Sequence, residues 1–425
     1  MRQSRFYLLI LLFIGLLGLF IFLSLNKIRN DPQNIIWSDA EGYYMYLPGT
    51  FIYDWKDMPT RTPGWPKIED RTFTKFTCGV AILQLPIWCS GRFAAGLFGF
   101  ESDGFSYLDG LLVICATIIY FLLGLFLLFQ VLSQRYKRGL IILAFLIILT
   151  GTNLYFYVIS ESGMSHVYSF FTFCLIVFVT DKYWRKPSPG LALALGLALA
   201  LTVLIRPTNI IMLFWIVGYG ITDPKELKER LYHFFAKWWR IPIFLVSGIL
   251  VFVPQFIYWK MMTGNWIAYS YGEEGFSNWK NPKMLQVLTH LENGLLLYSP
   301  ILIFALVGMV AMSWRKEING RLILLLFILA TYIFGSWWDW NFGGAFGHRC
   351  YVEYYAILLF PFCYLLQRVW QTKNQRLYLF VGICISVCII YSLKMTYLYA
   401  SPWDGPEWTW EVYLQRLRRV FWMES

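Results

Sequence analysis

Charged side chains are scarce in this sequence. Asp, Glu, Lys and Arg supply only 14% of its 425 residues, against roughly a quarter in a soluble domain. That shortage excludes an ordinary soluble enzyme or binding module. No Gly/Ser-rich or Pro-rich linker interrupts the chain, so residues 1–425 read as one domain. No internal repeat is visible either, which leaves a transporter built on inverted repeats without support. Acids are outnumbered by bases, 25 to 36, for a net charge of +11. The excess does not point to nucleic acid, because it falls in short clusters between apolar runs: Arg135, Lys137, Arg138; Lys182, Arg185, Lys186; Lys225, Lys228, Arg230; Arg315, Lys316, Arg321; Lys373, Arg376. This is the positive-inside signature of cytoplasmic loops beside anionic lipid. The eight cysteines form no disulfide framework. Cys115, Cys174, Cys384 and Cys388 lie within apolar runs, and no His or acid joins the Cys384–Cys388 pair to make a metal set.

What the chain has in abundance is apolar and aromatic surface. Hydrophobic residues make up 58%, with 20 Trp and 28 Tyr, rings that settle at headgroup depth. The fold class implied is an all-α, polytopic transmembrane protein. Its eleven candidate spans are 6–26, 108–132, 139–158, 167–181, 190–205, 207–221, 241–259, 297–313, 321–337, 354–369 and 377–398. The 190–221 stretch is too long for one crossing, roughly 48 Å at 1.5 Å per residue. The basic loops on both sides of it require an even number of crossings, so two short helices should meet at Arg206–Asn209, where Pro207 breaks the ladder. The first external loop is then 27–105, carrying an interfacial helix at 77–99 interrupted by Pro86, Gly91 and Arg92. An amphipathic tail, 400–425, places Trp403, Trp408, Trp410 and Trp422 beside Arg416, Arg418 and Arg419. The remaining external segments are 159–166, the 206–209 tip, 260–296 and 338–353, and the polar motifs fall almost entirely in these.

The first motif is "WSDAEGYYMYLPGTF", with Asp39 and Glu41 among Trp37, Tyr43, Tyr44 and Tyr46. Acids at i and i+2 do not share a helix face, but in an extended segment they point the same way. A carboxylate held near an apolar surface can serve as a general base or hold a metal; the plain alternative is an acidic pair solvating a loop. The second is "SWWDWNFGGAFGHRCYVEYY". Gly343, Gly344 and Gly347 let backbone press close to a ligand and form an anion-binding nest, with His348 and Arg349 adding donors. Its plain alternative is a tight loop in an aromatic belt. The third is Arg206 in "LIRPTN", a charge near membrane depth that either lines a cavity and pairs with an anion or snorkels to the interface. Glu161 and His166 in "ESGMSHVYSF" suit a supporting role behind the reacting groups. Glu273 and Glu274 read as loop solvation, and Lys75 in "FTKFTCG" reaches a phosphate or anchors the interfacial helix.

Together these residues resemble the GT-C glycosyltransferases, the polyprenyl-phosphate-sugar-dependent membrane enzymes related to protein O-mannosyltransferases. The resemblance rests on Asp39-Ala40-Glu41 early in the first external loop, "TKFTCGVAILQLPIW", "MSHVYSF", "LIRPTN" and "GGAFGHR", in that order over most of the chain. It implies inverting transfer of a sugar from a polyprenyl-phosphate donor to an acceptor hydroxyl on the periplasmic or lumenal face. The catalytic acids would be Asp39 and Glu41. Because they are not adjacent as in the family's pattern, the choice of base stays open between them. Arg206, Arg349, His348 and Lys75 would bind the donor phosphate, with the Gly343, Gly344 and Gly347 backbone beside them. No metal and no cofactor is expected, since arginines can neutralise a monophosphate leaving group. The expected location is the cell inner membrane, multi-pass, or the ER membrane in a eukaryote. The expected partners are the lipid-linked donor, membrane lipid, and a lipid-linked or protein-presented acceptor, since no large external insert is present to grip one; no nucleic acid is expected. A flippase for lipid-linked saccharides and an O-antigen ligase or polymerase are the alternatives. A flippase should carry polar residues along a path through several spans, whereas here they gather on one side.

Overall fold

The computed structural model describes residues 2–100, 102–236, 240–399 and 409–421. Among these the chain is mostly helical, with almost no strand. The one sheet among the described residues is a two-stranded antiparallel hairpin, Lys67–Ile68 with Arg71–Thr72. Three of the helices begin where a side chain satisfies their free N–H groups. Ser106 and Asp109 form a capping box at the start of Tyr107–Leu132. Ser188 accepts from Leu191 N ahead of Pro189 at the first position of Pro189–Ile205, and Asn374 accepts from Arg376 N and Leu377 N at the start of Gln375–Leu398.

Among the described residues, four helices are long and apolar enough to cross a membrane by length and composition: Gly79–Leu97, Tyr107–Leu132, Ile241–Thr263 and Gln375–Leu398. Several other expected spans are shorter apolar helices, and their breaks have visible causes. The 139–158 stretch divides into Arg138–Gly151 and Leu154–Ile159. The break falls at Thr152–Asn153, where the side-chain amide of Asn153 donates to Phe346 O at 3.0 Å and accepts from Tyr355 Oη at 2.6 Å. That residue serves the loop after 342 instead of its own helix. The 190–221 stretch breaks at Arg206, whose backbone is extended (φ −149°, ψ 118°) as a residue before proline prefers. A 3₁₀ turn, Pro207–Ile211, and a short helix, Met212–Gly218, follow.

Two sequence expectations are corrected. The piece at 77–99 is one unbroken helix, Gly79–Leu97, with Pro86 inside it. Its apparent interruption at Arg92 is neutralised internally, because that guanidinium lies 3.4 Å from the buried Asp109 carboxylate and stacks over Trp88. The segment around Asp39 is a helix, Ser38–Tyr44, instead of an extended strand, so Asp39 and Glu41 point in different directions. In the tail, Trp410–Phe421 is a helix that buries Tyr413 and Val420 and leaves Trp410, Leu414 and Phe421 exposed. Trp403, Trp408 and Trp422 lie outside the described residues.

The helices that matter for function are locked by close backbone approach. Tyr107–Leu132 packs along Ser165–Arg185, and Arg240–Thr263 along Pro189–Ile205. The start of Gly79–Leu97 abuts the end of Pro189–Ile205 so tightly that a Cβ on Gly79 would sit 2.6 Å from Ile205 N. Thr77 Oγ1 donates to Leu204 O beside it. This contact sets Arg206 next to the segment bearing Lys75. Gly79→Ala must therefore shift backbone, and should cost about 1–3 kcal/mol. Thermal unfolding in detergent checks this: the expected result is a Tm lowered by several degrees, and an unchanged Tm would show that the junction yields freely.

Candidate active site

The polar motifs meet at a cavity of about 430 Å³. Its walls are the ends of elements: the start of Ser38–Tyr44, the start of Ser165–Arg185, the Arg206–Thr208 break, and the turn that follows Gly320–Ser336. Asp39, Lys75, His166, Arg206, Gly343, Gly344 and Arg349 all line it, together with Glu274, Asp339, Tyr43, Tyr271, Trp337 and Trp338. Residues scattered from 38 to 349 thus share one chamber with aromatic walls.

Its cations are paired. Arg349 Nη1 lies 3.1 Å from Asp39 Oδ2, with the two side chains 20% and 30% exposed, and the guanidinium stands 6.0 Å from the Phe342 ring centroid. Lys75 is ion-paired with Glu274. Arg206 Nη1 lies 3.5 Å from Glu353 Oε1, a carboxylate with no exposed surface. The Arg206 Nη1 group donates to His166 Nδ1 at 2.9 Å, and Nη2 donates to Cys350 Sγ at 2.9 Å. Because a guanidinium can only donate, Nδ1 of His166 is the accepting nitrogen. Glu353 Oε2 lies 3.4 Å from that same nitrogen. Burial pushes the Glu353 carboxyl up to about 7, with Arg206 pulling it down. Burial likewise pushes the Cys350 thiol up to about 11. Asp339 is held above the ordinary carboxyl value by partial burial, Arg349 opposing.

Other sequence candidates lie outside this chamber. Glu41 is fully buried and faces the 61–65 segment, accepting from Arg61 N at 2.6 Å, Thr62 N at 2.8 Å and Trp65 Nε1 at 2.9 Å. Three donors occupy its two oxygens, so it ties down the loop and is not presented to a substrate. His348 is turned inward as well. Its Nε2 is 3.2 Å from Trp340 O and so carries the proton, and the ring packs against Phe334, Phe342 and Tyr351. Burial lowers it to about 3, so it is neutral and no phosphate cation. Gly347 has φ +63°, and a Cβ there would meet Tyr298 Cβ at 2.9 Å. It is required by packing, not by a ligand. Gly343, at φ +60°, uses its N–H on Asn341 Oδ1 at 3.0 Å. Glu161 is exposed and is not among the residues lining the cavity. Among the described residues, no group of three or more His, Cys, Asp or Glu converges as metal ligands would. The groups the sequence did not single out are Glu353, Cys350 and Asp339. An acid flanked by tyrosines ahead of an apolar run, as in "CYVEYYAILLF", was the available signal for a buried counter-charge.

No family model matches this chain, and no curated protein does. Solved structures do. An archaeal oligosaccharyltransferase, AglB from Archaeoglobus fulgidus, in complex with an inhibitory peptide and a dolichol-phosphate, aligns with a TM-score of 0.51 at 12% identity, covering 96% of this chain and 58% of that one. The fold is of the GT-C type. The oligosaccharyltransferase of the same organism in its apo form aligns at TM-score 0.49 and 13% identity, with the same coverage. The chain thus spans little more than half the length of the proteins whose fold it shares.

The raised carboxyl of Glu353 has a pH signature. Its folded value lies above the ordinary 4.5, so the stability it contributes is fully present below about 4.5 and is lost as pH rises through about 7. Glu353→Gln removes that dependence. The Tm difference between variant and wild type should move in the variant's favour between about pH 5 and pH 8, and a difference constant over that range would contradict the assignment.

Proposed function

We propose that this protein is an integral membrane glycosyltransferase that moves one sugar from a polyprenyl-phosphate donor to an acceptor hydroxyl with inversion. The observation that carries the reading is Asp39 paired with Arg349 at 3.1 Å on the wall of a cavity that also holds Arg206 and Lys75. A proton acceptor and anion-binding groups share one chamber, as displacement at an anomeric carbon requires. Asp39 takes the proton of the acceptor hydroxyl as its oxygen bonds to the anomeric carbon. The bond from that carbon to the phosphate oxygen breaks, and the electron pair leaves with the polyprenyl phosphate. Arg349 and Arg206 neutralise the departing phosphate, with Lys75 at the same wall. Single displacement inverts the centre. Trp337 and Trp338 offer apolar faces for the sugar, and Asp339 offers carboxylate oxygens for its hydroxyls. The GT-C fold supports this reading, and the archaeal enzyme that shares it was captured with a dolichol-phosphate, a lipid of the class proposed here as the leaving group.

The arrangement in the bilayer belongs to the same proposal: about eleven crossings, in the inner membrane or the ER membrane, with the cavity on the non-cytoplasmic face and an acceptor that is lipid-linked or presented by a partner. In a Cys89-replaced background, because Cys89 is exposed, a cysteine at Ser277 should react with an impermeant thiol reagent in intact cells and one at Lys137 should not. The reverse pattern would invert the topology. For the chemistry, Asp39→Asn preserves shape but abolishes proton acceptance, and should lower single-turnover rate at least ~10²-fold. Glu41→Gln should lower the Tm while leaving the rate per folded molecule close to wild type. A full-rate Asp39→Asn beside a dead Glu41→Gln would exchange their roles.

A further inference from the structure

An anion-binding chamber ordinarily holds surplus positive charge, and this one does not. Lys75, Arg206 and Arg349 line it, and so do three carboxylates, Asp39, Glu274 and Asp339; Glu353 stands behind Arg206 as a fourth. A phosphate arriving as an additional anion would find every cation already engaged. It must enter by exchange, taking a guanidinium from a carboxylate.

The geometry selects the pair that exchanges. Glu353 has no exposed surface, so releasing Arg206 would strand a carboxylate away from water. Asp39 is 30% exposed and opens into the chamber, so it can leave its partner and still be solvated or meet a substrate hydroxyl. Arg349 and Arg206 line the same cavity, which makes the ground between them favourable for the donor's phosphate anion. Asp39 is the group that now shields it. Resting on the function proposed above, we infer that Asp39 and the donor's phosphate compete for Arg349, so that Asp39 sets donor affinity as well as accepting the proton. Binding of the donor then releases the Asp39 carboxylate from the guanidinium and frees it for the acceptor hydroxyl, in the loaded chamber only.

This arrangement separates affinity from rate in a direction a merely structural residue would not. Asp39→Asn keeps the side-chain shape and removes the competitor. Binding of a polyprenyl phosphate to the purified protein should tighten roughly 2- to 5-fold, as the loss of a part-exposed ion pair allows, while turnover falls. In an Arg349→Ala background the same Asp39→Asn change should leave affinity unaltered, since nothing is left to compete for. If wild type binds polyprenyl phosphate and Asp39→Asn binds it equally or more weakly, the competition is refuted while the glycosyltransferase reading stands. Tightening that persists in the Arg349→Ala background refutes it too, by placing the effect elsewhere. If wild type binds no polyprenyl phosphate, the functional reading fails and this inference with it.

Discussion

A charge removed from water must find its opposite, and that constraint organises the polar half of this molecule. At low effective dielectric an unpaired guanidinium or carboxylate is far costlier than one in solution, and removing one partner of a buried pair leaves the other stranded. Arg206 answers to Glu353, Arg349 to Asp39, Lys75 to Glu274, and Arg92 to Asp109. Each pair joins segments that lie on different elements, and three of the four face or back the same cavity. Helices of mean hydropathy high enough for lipid have no directional preference for one another. The ion pairs supply direction, and so decide which loops meet.

Between the pairs runs polar scaffolding that lies outside the cavity. Irregular backbone away from water needs partners for its N–H and C=O groups. Glu41 supplies them for the 61–65 segment. The Gln255 side chain accepts from Cys78 N at 2.8 Å and bonds Tyr46 Oη, tying the start of Gly79–Leu97 to Arg240–Thr263. Asn153 holds Phe346 O and is itself held by Tyr355, which fixes the glycine loop whose far end carries Arg349. The cavity wall is positioned by many polar residues that do not line it.

This division explains what could and could not be read from the sequence. Asp39, Lys75, Arg206 and Arg349 stand out because a lone charge among aromatics and aliphatics demands a reason, and the structure brings all four to one cavity. Glu41 and His348 look equivalent to their neighbours in one dimension, but they are not in three. Two residues along a helix is a rotation of about 200°, so Asp39 faces the chamber while Glu41 faces the loop behind it. The 3₁₀ turn Arg349–Tyr351 likewise sends Arg349 outward while His348 stays inside. Glu353 was legible in principle, as an acid no apolar window tolerates alone, but its partner Arg206 lies at a distant helix break and no local pattern names it. The helix breaks inside the apolar stretches are hard to read for a related reason. Hydropathy counts Thr152 and Asn153 as minor interruptions, whereas a tertiary hydrogen bond makes Asn153 the end of a helix.

Fold likeness at this identity fixes an architecture and leaves chemistry to the residues. Here the residues assign the two arginines different duties. Arg206 is bound to a carboxylate that cannot leave, to His166 and to Cys350, so its guanidinium is fixed before any ligand arrives. Such a preorganised charge costs no rearrangement when negative charge develops on a departing group, which is where electrostatic catalysis is most effective. Arg349 is bound to a carboxylate that can leave, so its orientation depends on what occupies the chamber. A site with two fixed cations would hold phosphate well before and after reaction and release it slowly. One with two exchangeable cations would have nothing to steer the phosphate's departure. Under the function proposed above, pairing one of each would let a lipid phosphate be admitted, stabilised as it forms, and then displaced as Asp39 returns to Arg349.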